Sequence, residues 1–330
     1  MPLISIIVIG LNEEKNLKEC LSSIFESSLG GDEKLEIVYV DSGSIDNSIA
    51  IAKSFYNVKV ISLQDSPPSA AKGRNLGASI TKGDYIQFVD GDSALDKNWI
   101  KMALQALELD QSKGVVFGAI EEVDNKNTIY SKVCRFDWYT PPGDYRLCGG
   151  NAMWRRDIFI KAGGFDSTLS AGEEPDLCYK VRQNGHRIVC LDAPMVKHDL
   201  DMNSFKEYWL RSIRSGYAYS VIAMRFMNME EKLWLKETIR NFLDPLLWVI
   251  IILSGFSIGW LASLSLLFAF ISYRIIRIIK NVQQRTTSLT DALLYGLHIQ
   301  FSRLPLALGQ IKGLTEVFLS RISRKKVSKI

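Results

Sequence analysis

The chain has 330 residues, enough for one large domain and an appendage. Its 40 Lys/Arg against 36 Asp/Glu give a formal net charge of only +4, too balanced to mark a nucleic-acid binder. Five cysteines (Cys20, Cys134, Cys148, Cys178 and Cys190) form an odd set without a Cys-x-x-Cys pair. They read as reduced thiols and argue against a zinc site.

The first run, "LISIIVIG" (3–10), predicts a buried strand. It follows Met1-Pro2 without the basic leader of a secretory signal, so the catalytic part is expected to stay in the cytosol. Residues 13–27 place Leu17, Leu21 and Ile24 at helical spacing. A strand over 35–44 is followed by a helix over 44–55, with Ser44 or Asp46 available as its cap. A third strand spans 58–63, a helix spans 69–80 despite its glycines, and "YIQFVDGD" (85–92) is a fourth strand. Such alternation implies a parallel sheet covered by helices on both faces, whose ligands collect at the carboxyl ends of the strands.

Acids gather at those ends. Asn12, Glu13 and Glu14 follow the first strand, Asp41 the second, and Asp90 and Asp92 the fourth. The plainer alternative is that each acid caps a helix or closes a turn. Two carboxylates one residue apart suit a hard divalent cation, Mn²⁺ or Mg²⁺, completed by diphosphate oxygens. Such a metal would offset charge on a departing diphosphate. Lys72 and Arg74 could add positive charge nearby, and Asp41 and the loop "GLNEE" are placed to hydrogen-bond a base or ribose. The chain has neither a G-x-x-x-x-G-K-[ST] phosphate loop nor a G-x-G-x-x-G after its first strand, which argues against an ATPase or a dinucleotide enzyme.

Residues 115–200 mix short strands with loops. "VVFGAIEEV" reads as a strand, and "PDLCYKVRQNG" (175–185) as a helix with Pro175 in its first turn. A sugar hydroxyl is a poor nucleophile and needs a general base. "AGEEPDL" offers Glu173, Glu174 and Asp176 for it, with simple helix-start electrostatics as the alternative. His198, after the short strand "RIVCLDAP", is the candidate third metal ligand beside Asp90 and Asp92.

From Pro245 to Tyr273 no residue is charged, 29 positions against the roughly 20 that cross a bilayer as a helix. Lys236 and Arg240 precede this run, and Arg274, Arg277, Lys280 and Arg285 follow it. A hairpin turning at "SGFSIG" (254–259) satisfies both basic flanks, with a single long tilted helix as the competitor. Residues 291–311 are apolar yet carry His298, Arg303 and Pro305, and look interfacial. The tail "RISRKKVSKI" holds five basic residues and no acid, which suits anionic lipid headgroups.

Four segments in this order resemble the family 2 glycosyltransferases of GT-A fold: "SIIVIGLNEEKNLKECLSSI", "IVYVDSGSIDNS", "AKGRNLGASITKGDYIQFVDGDS" and "GGNAMWRRDIFIKAGGFDSTLSAGEEPDLCYKVRQNG". The resemblance covers residues 3 to about 200. It implies an α/β, Rossmann-like GT-A domain over 1–240, with a nucleotide-binding half (1–115) and an acceptor half (116–240), then membrane-associated helices and the basic tail over 241–330. It implies inverting transfer from a nucleotide-diphosphate sugar, usually UDP-linked, assisted by Mn²⁺ or Mg²⁺. Asn12, Glu13, Asp41, Arg74 and Asp90 would then bind the nucleotide, Asp41 through base and ribose. Asp92, Asp90 and His198 would hold the metal. By register Glu174 is the base, with Asp176 as the alternative, since many members have Glu-Asp where this chain has Glu173-Glu174. Gly149-Gly150-Asn151 looks like the loop facing the acceptor sugar, and Gly73 stands where alanine is usual.

The chain lacks the Gln-x-x-Arg-Trp motif of processive synthases; "YWLRSIRSGYAY" stands nearby, with Arg211 and Arg214 as candidates for a diphosphate or lipid phosphate. A single addition per acceptor is therefore expected. The membrane segments resemble those of bacterial enzymes that build exopolysaccharide or capsule units on polyprenyl-diphosphate carriers. The expected partners are a nucleotide-sugar donor, a glycan or polyprenyl-linked acceptor and membrane lipid, without nucleic acid. The expected location is the inner membrane, with the catalytic domain on the cytoplasmic side. Two rivals stay open: a polyprenyl-phosphate sugar transferase, and a non-catalytic nucleotide-sugar-binding subunit of a membrane assembly.

Overall fold

The computed structural model describes residues 2–27, 34–63, 67–122, 128–198, 202–282 and 288–327. The side chain of Cys134 and those of the basic tail from Arg321 onward lie outside the described residues. The chain divides into two compact units, one formed by 1–125 and 138–201, the other by 126–137 and 202–330.

The first unit is built on a nine-stranded sheet. Strands β1 (Leu3–Gly10), β2 (Lys34–Asp41), β3 (Val58–Ser62) and β4 (Tyr85–Asp90) are its parallel part, ordered β3-β2-β1-β4. Beyond β4 the order continues β8 (Ala152–Arg155), β6 (Lys113–Glu122), β9 (Arg187–His198) and β5 (Ser93–Leu95), with β7 (Gly143–Tyr145) also paired to β9. β8 runs antiparallel to both its neighbours, so the sheet is mixed rather than wholly parallel. Ile4, Ile6, Ile7 and Val8 in β1 are completely buried, as are Val38, Val40, Phe88 and Val89 in the strands beside it. Consecutive buried positions require cover on both faces. Each such side chain contributes about 1.5–3 kcal/mol by leaving water.

Helices α1 (Leu17–Phe25), α2 (Ser48–Lys53), α3 (Ala70–Ile80), α4 (Trp99–Leu109), α6 (Arg156–Lys161) and α7 (Glu173–Gln183) belong to this unit. α3 carries two glycines, Gly73 and Gly77, four residues apart on the face that meets β1. A Cβ at Gly77 would collide with the Ile7 side chain, and one at Gly73 would meet Ile9 Cγ2 at 3.3 Å. Helix propensity is given up there so that α3 can lie close to the sheet. Ser69 caps the helix, its Oγ accepting from Lys72 N–H at 3.2 Å.

The second unit is helical: α5 (Ile129–Asp137), α8 (Phe205–Arg225), α9 (Leu235–Leu253), the single turn α10 (Gly255–Ile258), α11 (Trp260–Val282), α12 (Leu289–Phe301) and α13 (Arg303–Val327). α8 starts in a capping box, Ser204 Oγ accepting from Glu207 N–H and Glu207 Oε2 from Ser204 N–H. It packs against α13 where Gly216 faces the Leu306 backbone, and Gly309 and Gly313 face Ile213 and Ser220; a Cβ at any of the three would collide. This close backbone contact, typical of small residues spaced by four, sets α8 with the C-terminal helices. The unit boundary accordingly falls at 201/202, whereas a boundary near 240 was expected.

The apolar run forms a helical hairpin. α9 ends at Leu253, Gly259 adopts φ +87°, and α11 begins at Trp260. Arg274 reaches Asp244 at 2.5 Å and Ser263 Oγ donates to Ile251 C=O, so the two helices pair antiparallel. Residues 235–258 and 260–282 are each long and apolar enough to cross a membrane, and most of their side chains are exposed. That is the hairpin of the two arrangements the flanking charges allowed.

The glycines of α3 give a testable contrast. Gly73→Ala should leave thermal stability nearly unchanged, because a tight but adjustable contact is offset by up to about 1 kcal/mol of helix propensity. Gly77→Ala forces a methyl group into a fully buried isoleucine and should cost about 1–3 kcal/mol. Equal melting temperatures for the two variants in detergent would contradict this packing.

Candidate active site

Strand register assembles the site. Gly10 pairs with Asp41 and Ile9 with Asp90, so β1, β2 and β4 end together. β5 pairs with β9, Ser93 opposite His198, which sets His198 beside Asp92. His198 lies in the last position of a twelve-residue strand, not after a short one as the sequence implied. A groove of about 370 Å³ opens at these ends, lined among others by Leu11, Glu13, Ser42, Ser69, Asp90 and Asp92.

The central contact is Arg74. Arg74 is 3% exposed. One arm meets Asp90 Oδ1 at 2.9 Å; the other meets Glu174 Oε1 at 3.1 Å and Glu173 Oε1 at 3.3 Å. Burial alone would lower its pKa, but Asp90, Glu174 and Glu173 outweigh that and raise it, so the cation is locked in. Gly150 lies where a Cβ would collide with this guanidinium, so only glycine lets Arg74 pass. Burial and the neighbouring Glu174 push the Glu173 carboxyl upward. Arg74 was expected to face a diphosphate; here it joins the DGD turn to the start of α7. Lys72, its expected companion, donates instead to the Pro67 carbonyl at 3.1 Å.

Asp92 Oδ2 lies 3.2 Å from His198 Nε2, and the His198 ring meets Trp138 edge-on at 4.8 Å between centroids. Among the described residues no three His, Cys, Asp or Glu side chains converge as a ready-made metal site. Asp90, expected as a metal ligand, is held elsewhere: Oδ1 by Arg74, and Oδ2 3.4 Å from Asn151 Nδ2. The donors that do meet are one carboxylate and one imidazole. That set fits a divalent cation whose remaining positions are filled by phosphate oxygens.

Glu13 is the third acid at the groove. Its backbone N–H donates to Ser48 Oγ, and its side chain lies beside Gly91, where a Cβ would come within 3.0 Å of Glu13 Cγ. Burial, then Asp92 and Asp90, push its carboxyl up to about 7. Asn12, at φ +61°, ties the neighbouring loops: its N–H donates to Ser44 Oγ, and its Oδ1 accepts from Ile45 N–H. Asp41 is fully buried, its oxygens accepting from Gly43 N–H, Ser44 N–H and Tyr39 O–H. It closes the turn that follows β2. Asn151 is 6% exposed and accepts from Asp90 N–H at 2.9 Å, so it latches the DGD turn instead of facing an acceptor. Sequence reading missed that latch because its two halves lie 61 residues apart.

Glu173, Glu174 and Asp176 all fall in the first turn of α7, which starts one residue before Glu174. Asp176 is 1% exposed and faces Lys180 at 2.6 Å, whereas the Glu174 side chain keeps 21% of its surface open. Of the two candidate bases, Glu174 is the more exposed.

Glu13 yields a pH prediction. Its folded pKa of about 7 exceeds the ordinary 4.5, so the folded state holds a proton that the unfolded chain has already released. Stability must therefore fall as pH rises through that window, and Glu13→Gln removes the effect. Metal-free melts should show the variant gaining on the wild type between pH 5 and pH 8; a constant difference would contradict this assignment.

Residues 5–163, just under half of the chain, match the family described as glycosyl transferase family 2. Glycosyltransferase GlyG of Streptococcus pneumoniae is 33% identical over 129 residues, which are 38% of this chain and 41% of that protein. The chain thus spans less than half of that relative's length. Two solved structures share its fold at 18% identity. Staphylococcus aureus TarS 1–349 in complex with UDP-GlcNAc superposes with a TM-score of 0.56, covering 91% of each chain. The mannosyltransferase PcManGT of Pyrobaculum calidifontis, in complex with GDP-Man and Mn²⁺, gives 0.59, covering 95% of this chain and 87% of that one. Strand-end acids, sheet order and these likenesses agree: the chain has the GT-A fold, and its residues 5–163 match glycosyl transferase family 2.

Proposed function

We propose that this glycosyltransferase moves a sugar, with inversion, from a nucleotide-diphosphate donor to a hydroxyl of a glycan or polyprenyl-linked acceptor. The observation that carries the reading is the Arg74 bridge, which ties Asp90 at the groove to Glu174 at the start of α7. UDP-GlcNAc in the TarS structure and GDP-Man in the PcManGT structure support a nucleotide-sugar donor. A UDP-linked sugar is our choice. The curated relatives include the poly(ribitol-phosphate) β-N-acetylglucosaminyltransferase TarS, which supports a role in cell-surface polysaccharide synthesis.

The donor diphosphate is placed in the groove over Asp90, Asp92 and Glu13. Asp92 and His198 would hold Mn²⁺ or Mg²⁺, which supplies positive charge to the departing diphosphate. The Mn²⁺ in the PcManGT complex supports that assignment. Glu174 takes the proton of the acceptor hydroxyl as its oxygen attacks the anomeric carbon. The bond to the diphosphate oxygen breaks on the opposite face, and the nucleoside diphosphate leaves with that electron pair. Arg74 holds the Glu174 carboxylate in position; Asn151 and Gly150 keep Arg74 and the DGD turn in register.

The hairpin is proposed to anchor the enzyme in the inner membrane. Lys236 and Arg240 near the start of α9 and Arg274, Arg277 and Lys280 near the end of α11 lie at the open end of the hairpin. By the positive-inside tendency that end, and the catalytic unit with it, is cytoplasmic.

Nucleoside-diphosphate release from a panel of UDP-, GDP- and dTDP-sugars tests the reading. Mn²⁺ should support turnover of one donor; chelator or Asp92→Ala should abolish it. With acceptor present, Glu174→Gln should lower kcat by about 10²–10⁴ with donor KM nearly unchanged. Substantial turnover by Glu174→Gln would instead indicate a phosphate acceptor that needs no base. Undiminished function of Asp92→Ala would contradict the catalytic reading altogether.

A further inference from the structure

One residue beyond Arg74, α3 makes a second polar connection. Asn75 is half-buried and faces the segment 163–172, which joins α6 to α7. Its Nδ2 donates to the Phe165 carbonyl at 2.7 Å and to Ser167 Oγ at 3.1 Å. Its Oδ1 accepts from Phe165 N–H at 3.0 Å. A carboxamide can do both, donating through nitrogen and accepting through oxygen, whereas a carboxylate cannot donate. A Cβ at Gly164 would come within 2.9 Å of Asn75 Oδ1, so glycine there lets the segment close on the amide.

The segment needs this hold because its backbone is permissive at both ends. Gly163 and Gly164 take φ +86° and +66°, and Gly172, immediately before α7, takes +91°. Glycine adopts such angles without strain but adds little stiffness of its own. Phe165 fixes the first half: it is 3% exposed and packs on Phe88, Phe159 and Trp154, with the Arg74 guanidinium 5.4 Å from its ring. Asn75 extends the hold to Ser167. Beyond it Leu169 is buried, Ser170 lines the groove, and Glu173 and Glu174 open α7. α3 itself lies close on β1 through Gly73 and Gly77. Consecutive residues of one firmly seated helix thus hold the Glu174 side chain and the backbone that leads to it.

We infer, on the reading of Glu174 as the base, that Asn75 is a positioning residue for the transfer reaction. By tying Phe165 and Ser167 to α3 it sets where Ser170 stands at the groove and where Glu174 stands at the start of α7. It acts through Glu174 and not on the reacting atoms. Misplacing a catalytic group by about 1 Å can cost on the order of a hundredfold in rate.

The test uses the full chain in neutral detergent with Mn²⁺. Nucleoside-diphosphate release is measured on the UDP-, GDP- and dTDP-sugar panel with water as the acceptor. On the donor that turns over, Asn75→Ala should lower kcat about tenfold or more, with donor KM changed by less than about twofold. In the Glu174→Gln background the same substitution should cost less than about threefold, because the group it positions is already gone. Ser167→Ala removes an exposed hydroxyl and a single bond, and should give a smaller loss of the same kind. Ser79→Ala, at an exposed position further along α3, should have no effect. Amide hydrogen exchange over 165–176 should rise in Asn75→Ala and stay unchanged in Ser79→Ala. An equal loss from Asn75→Ala in both Glu174 backgrounds would mean a merely structural role and overturn the inference. Full activity of Asn75→Ala, or unchanged exchange over 165–176, would overturn it as well. A wild-type protein that turns over no donor, or Glu174→Gln as fast as the wild type, is a different failure: it removes Glu174 as the base, and the role of Asn75 with it.

Discussion

One buried guanidinium organises the catalytic unit. Arg74 meets Asp90 from the DGD turn and Glu173 and Glu174 from α7, residues 16, 99 and 100 positions away in sequence. Removing one partner of a buried ion pair costs about 3–5 kcal/mol, because the remaining charge is left without compensation. Here three carboxylates would be left. The glycines around Arg74 follow from this constraint: Gly73 and Gly77 let α3 approach β1, and Gly150 leaves room for the guanidinium. Arg74 thereby converts separate strand ends and a helix start into one site.

The sheet edge was legible because its chemistry is local. Strands β1, β2 and β4 announce themselves as β-branched runs, and their register forces the acids at their ends to the same edge. What local pattern does not reveal is which acid faces the groove. Asp41 and Asp90 occupy equivalent strand ends, yet a tight turn consumes Asp41 through the N–H groups of Gly43 and Ser44. Asn151 reads as a loop residue until its hydrogen bond to Asp90 is seen. The same limit hid the full length of β9, where His198 is brought to Asp92 by pairing with β5.

In the helical unit glycines set the closest packing. Gly216, Gly309 and Gly313 weaken helices by propensity but permit α8 and α13 to touch through their backbones. The segment 291–311 read as merely interfacial because its polar residues looked scattered. In the structure His298, Ser302 and Arg303 share one cavity. Charge that is unremarkable along the chain becomes concentrated when helices α9, α12 and α13 pack.

The most direct test of the Arg74 account is a double-mutant cycle on nucleoside-diphosphate release, pairing Arg74→Lys with Glu174→Gln. Lysine keeps the charge but cannot reach both carboxylates with two arms. If Arg74 acts by positioning Glu174, each single variant loses turnover and the double variant falls no more than about threefold below the weaker single. Fully additive losses would mean that the two residues serve catalysis separately, and would contradict the account.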